Sequence, residues 1–146
     1  MKNIIIGLLL LSIFTQATEI IQEGKPYPLD KLKAQNQQII KMVVEEIGKT
    51  LPQTVDQYTQ LIKIRDENLT LIYTFEINTG AKSDEAVKKE DRSRMQHAVT
   101  KGVCQSSKRF LEAGILLSYE YLSATSHQEL FRFDISPQVC KGVDHD

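Results

Sequence analysis

The sequence predicts an α+β fold with its elements in the order α-β-β-α-β-β, and three observations predict it. Apolar residues recur at helical spacing between residues 31 and 49, two pairs of runs alternate apolar with polar, and a second helical stretch lies between those pairs. The architecture expected is an antiparallel four-stranded sheet with two helices packed on one face, closed by one disulfide.

The chain opens with a leader. Lys2 supplies a positive start, residues 4–14 are an almost unbroken apolar run, and Thr15-Gln16-Ala17 ends in small residues. As a helix that run would reach only ~16 Å, about half the ~30 Å hydrocarbon core of a bilayer. Residues 1–17 therefore read as a signal peptide cut near Ala17, with no membrane span left after cleavage. No Cys stands just after the leader, so a lipid-modified N-terminus at that point is not expected. Residues 18–30 form a lead-in, 31–140 a single α+β domain and 141–146 a tail, about 130 mature residues in all.

Asp30 is placed to cap the first helix, whose apolar stripe is Leu32, Ile39, Ile40, Val43, Val44 and Ile47, and Leu51-Pro52 ends it. Tyr58, Ile62 and Ile64 suggest a first strand. The second reads Leu69, Leu71, Tyr73, Phe75, Ile77 on one face, after a polar turn at residues 65–68. Ser83 caps the second helix with Asp84 and Glu85 in its first turn. Its charged half, residues 88–94, precedes the apolar Met95, Ala98, Val99 and Val103. A break near Gly102, with Ser106 or Ser107 capping a short last helix, leads to Gly114 as the stop. Ile115, Leu117, Tyr119 and Tyr121 form the third strand, and Phe131, Phe133 and Ile135 the fourth, joined by the polar turn at residues 124–128. Pro137 ends the last strand.

Cys104 and Cys140 are the only cysteines, and in an oxidising compartment they are expected to pair. On the chain-entropy model a loop of about 36 residues closed in this way stabilises the fold by roughly 4 kcal/mol. They are not in a C-x-x-C arrangement, and two sulfurs without a His pair do not make a zinc site.

Chemistry is harder to find. The net charge of −1 offers no basic excess for a phosphate backbone, so nucleic acid is not an expected partner. His97, His127 and His145 are far apart and without partners at metal-ligand spacing, and Asp144-His145-Asp146 reads as a frayed terminus. No G-x-S-x-G elbow or Gly-rich phosphate loop is present, and the acidic pairs Glu45-Glu46 and Glu90-Asp91 are adjacent on helices and point apart. Catalytic, cofactor and metal residues are therefore expected to be absent. Asn68-Leu69-Thr70 matches a glycosylation sequon but reads as a turn asparagine. The mixed charges of residues 88–94 suit a docking face less well than a solvated helix surface.

The stretch Cys104, then residues 110–114 (Phe-Leu-Glu-Ala-Gly), Tyr119-Glu120-Tyr121, residues 131–135 (Phe-Arg-Phe-Asp-Ile) and Cys140 resembles a pattern of small exported proteins of Gram-negative bacteria, mostly of unassigned function. The resemblance covers roughly the last third of the chain and implies fold and compartment, not active-site residues.

The function expected is that of a periplasmic or secreted non-enzymatic binding module acting on another envelope or secreted protein through a sheet edge or helix face. It would serve as a secretion-system accessory, similar in role to pilotins, or as an inhibitor or immunity protein. The alternative is a carrier of a small apolar ligand, in which Tyr73, Phe75, Tyr119, Tyr121, Phe131 and Phe133 gather as a pocket rather than as plain core. An enzyme is a third reading that no motif supports.

Overall fold

The computed structural model describes residues 28–143. The leader, residues 18–27 of the lead-in, and His145 with its neighbours in the tail lie outside the described residues.

Helix α1 runs Leu29–Gly48. It starts earlier than expected because Pro28, not Asp30, stands at its entrance. The carbonyl of Pro28 accepts the amides of Lys31 and Leu32 at 3.0 and 3.1 Å, and Asp30 falls inside the first turn, where its charge favours the helix dipole. Ile40 is fully buried beneath it, and Ile39, Val43, Val44 and Ile47 are half-buried. The chain then passes the cis Leu51-Pro52 bond into β1, Gln53–Thr54.

Strands β2 (Thr59–Glu67) and β3 (Thr70–Ile77) form a hairpin. The buried residues of β2 are Leu61 and Ile64, because a register shift between Leu61 and Lys63 breaks the alternation. Tyr58, expected at the head of this strand, lies outside it and is exposed. The turn is Asn68-Leu69, both at positive φ (47° and 63°), so residues 65–67 belong to β2 and Leu69 is a turn residue rather than the first of β3.

Three helices follow where one with a late break was expected: α2 (Asp84–Glu90), α3 (Arg92–Ser106) and α4 (Lys108–Glu112). Ser83 caps α2 by accepting the amide of Ala86, as its position suggested. Gly102 lies within α3; the interruptions fall at Asp91 and Ser107. Gly114, at φ 91°, turns the chain into β4, Leu116–Ser123. β5 (Glu129–Ile135) completes a second hairpin, and Ser136-Pro137 opens α5, Pro137–Lys141.

The sheet order is β1-β2-β3-β4-β5. β3 and β4 pair in parallel, Thr70 opposite Leu116 through Ile77 opposite Ser123, whereas the other pairs are antiparallel. This corrects the all-antiparallel, four-strand, two-helix expectation. Helices α2 to α4 carry the chain from the end of β3 back to its beginning, and a strand entering the sheet from that end must run parallel to β3.

One face of the sheet carries Leu71, Leu117, Ile135, Phe131 and Phe133 beneath the helices; α1 rests on β2 and β3, and α2 and α3 rest on β5. Cys104 on α3 is bonded to Cys140 on α5, with Cα atoms 5.4 Å apart and a separation of 36 residues. No described helix is long and apolar enough to cross a membrane.

Candidate functional site

The helices divide the covered face into two packed groups. One gathers Ile40, Ile64, Leu71, Val103, Leu111, Leu117 and Ile135; the other gathers Leu61, Phe75, Val87, Tyr121, Leu130, Phe131 and Phe133. Five side chains touch both groups: Ile47 from the end of α1, Leu51 from the α1–β1 connection, Tyr73 from β3, Tyr119 from β4 and Val99 from α3. All five are half-buried. Because α1 sits over β2 and β3 while α2 and α3 sit over β5, these half-buried side chains mark the line above the middle strands where the two helical layers meet, here termed the trough. Its floor is the stacked pair Tyr73–Tyr119, with ring centroids 5.1 Å apart, and its walls are Ile47 and Leu51 on one side and Met95 and Val99 on the other.

The parallel register creates this floor. Tyr73 lies opposite Tyr119 and Phe75 opposite Tyr121, so like faces align, and the Phe75 ring stacks 4.9 Å from that of Tyr121. Burial raises the hydroxyl pKa of Tyr73; burial and then the neighbouring hydroxyls of Tyr73 and Tyr121 raise that of Tyr119; and burial, then the charge of Asp56, pushes Tyr121 up to about 12. At neutral pH the hydroxyls are neutral, and because the rings stack face to face the floor offers ring edges and hydroxyl groups rather than flat faces. Such a surface suits the apolar side of a protein segment with a few hydrogen-bonding groups.

The six aromatic residues singled out by sequence thus divide. Phe131, Phe133, Phe75 and Tyr121 are at most 8% exposed and fill the core, while Tyr73 and Tyr119 reach the surface of the trough. The sequence marked the wall residues only as helix stripes. Their exposure depends on how far apart α1 and α3 land on the sheet, which no local pattern encodes.

The opposite face carries a polar ladder that the sequence reading passed over. Glu120 accepts hydrogen bonds from Arg65 Nη2 at 2.7 Å and Arg132 Nη1 at 2.8 Å through one carboxylate oxygen, and from Thr74 at 3.0 Å through the other. Arg132 Nε and the Ser118 hydroxyl donate to Asp134, at 3.1 and 2.6 Å. The signal was available for four of them: Thr74, Glu120, Arg132 and Asp134 alternate with apolar residues, whereas Arg65 was expected in the turn.

His97 is exposed, and His127 Nδ1 lies 3.1 Å from Glu76 Oε1 in the β4–β5 turn. Among the described residues, no three His, Cys, Asp or Glu side chains gather as a metal set. Asn68 is exposed at its turn.

No protein-family model and no curated protein matches the chain at a significant level. Solved structures do match. A protein of Pseudomonas aeruginosa described as secreted aligns with a TM-score of 0.65 at 14% identity, covering 79% of this chain and 99% of that one. The pilotin of the Vibrio vulnificus type 2 secretion system aligns with a TM-score of 0.62 at 12% identity, covering 76% and 96%. The type II secretion system pilotin of Vibrio cholerae aligns with a TM-score of 0.61 at 10% identity, covering 77% and 98%. At these identities the likeness is one of fold.

Proposed function

We propose that this protein is an exported accessory protein of a secretion system, acting without catalysis by binding another envelope or secreted protein. The observation that carries the reading is the trough: Ile47 of α1, Leu51 of the α1–β1 connection and Val99 of α3, all half-buried, meet at Tyr73 and Tyr119 of the two middle strands. An isolated domain gains by closing such a seam, and a partner's amphipathic segment closes it. The fold likeness, spanning nearly all of two pilotins, supports the kind of system. Export rests on Lys2, the apolar run and the small residues at 15–17, and would leave the mature chain in the periplasm or outside the cell.

The test is site-specific photocrosslinking in the native envelope. A photoreactive residue at Met95 or Val99 is expected to trap one protein partner, and the same residue at Lys63, an exposed position on β2, is expected to trap none. Equal adducts from all three positions, or none from the trough, would overturn the reading.

A further inference from the structure

We infer that the hollow beside the disulfide is a binding site for a free single-chain amphiphile with an acidic head, of the fatty-acid class. It is distinct from the trough and does not depend on the accessory role. The hollow is an open depression of about 510 Å³, within the range of small-molecule sites. Its apolar lining is the Cys104–Cys140 bridge, Leu111 and Pro137, from α3, α4 and α5. The disulfide joins two of its walls and fixes their separation.

Charge selects the occupant. Lys108 and Lys141 stand at the hollow, with Glu112 as the one acid among its lining residues. Lys108 reaches Glu112 only at 3.8 Å, with both side chains largely exposed, so the pair is loose and a competing carboxylate can take the lysine. Lys101 and Arg109 add positive charge on the same helices, and between residues 101 and 112 Glu112 is again the only acid. An apolar floor with a cationic rim matches an alkyl chain ending in a carboxylate: the chain displaces water from the floor and the head pairs with the ammonium groups. A neutral alcohol of the same length would fill the floor and leave the rim unused.

The experiment is an NMR titration of the oxidised mature protein with decanoate below its micellar range, with decanol as the neutral comparison. Decanoate is expected to shift the amide signals of Leu111, Glu112 and residues 138–141 in a saturable manner. The double variant Lys108→Glu, Lys141→Glu is expected to bind decanoate about tenfold more weakly while binding decanol as before. Both lysines are exposed, and Lys141→Gln alone provides a milder second variant with the same expected direction. Absence of a saturable shift, shifts confined to Tyr73, Tyr119 and Val99, or decanoate binding indifferent to the lysine changes would each overturn the inference. Loss of a crosslinked partner with decanoate binding intact would bear on the trough alone.

Discussion

The side-chain amide of Asn36, on the second turn of α1, donates to the carbonyl oxygen of Ala113 at 2.7 Å, linking residues 77 apart in the chain. Asn36 is 4% exposed, and it pins α1 to the corner where α4 hands over to β4. Replacing it by Ala leaves a largely desolvated carbonyl unpaired and is expected to cost about 1–2 kcal/mol. Asn36→Asp should cost more at neutral pH, since a carboxylate oxygen would then face the carbonyl. Urea unfolding of the two variants checks both the size and the order.

Leu69 carries a long side chain at φ 63°, a conformation that costs a non-glycine residue about 1–2 kcal/mol. Its side chain packs against the core group beneath α1, and its carbonyl accepts the Leu116 amide at 2.9 Å. Leu69→Gly relieves the backbone but loses the packing, so its stability is expected to fall within about 1 kcal/mol of the native chain. Leu69→Val keeps part of the packing and adds a β-branch where φ is positive, and is expected to cost about 2 kcal/mol or more. Equal midpoints for the two variants in thermal unfolding would contradict the assignment of strain.

Glu120 has a side chain 12% exposed and stands between two guanidinium groups that are 35% and 37% exposed. Glu120→Ala removes the carboxylate that Arg65 and Arg132 share and leaves each with one exposed partner, Glu67 and Asp134, at an expected cost of about 2 kcal/mol, between the values for surface and buried pairs. Because the residual term is repulsion between like charges, the penalty should shrink in 1 M salt. A penalty that grows with salt would show that packing, not charge, sets the value.

The tyrosines give a pH dependence of definite sign. Burial raises the hydroxyl pKa of Tyr121 from 10.0 to about 12, so the folded chain holds this proton more tightly than the unfolded one. The resulting stabilisation is fully present below pH 10 and is lost as pH rises from 10 towards 12, and the raised values of Tyr73 and Tyr119 act in the same direction. Unfolding free energies measured between pH 9 and 12 should fall less steeply for Tyr121→Phe than for the native chain.

Much of this structure follows from local pattern. The stripe of α1, the cap at Ser83, the stop at Gly114 and the alternation of β4 and β5 each arise within a few residues and survive packing. The signals that failed are those whose meaning is set at a distance. β1 is two exposed polar residues that become a strand only because Leu61 and Gln60 offer an edge. The spacing of Leu61 and Ile64 obscured the period of β2, since a bulge adds one residue to the alternation. α5 was legible in principle: Ser136 followed by Pro137 is a cap followed by a residue suited to the first helical position. Of the candidate site, the floor tyrosines could be named from sequence, whereas the spacing of α1 and α3 that exposes them could not.

The parallel seam between β3 and β4 also bears on how the fold assembles. Each hairpin closes between strands adjacent in the chain, but Thr70 meets Leu116, 46 positions further along. Two locally formed halves must therefore find one another, and much of the sheet's loop-closure entropy falls on that encounter. The tyrosine floor is made at the same moment, so a chain arrested with both hairpins formed but undocked would possess every residue of the trough and none of its shape.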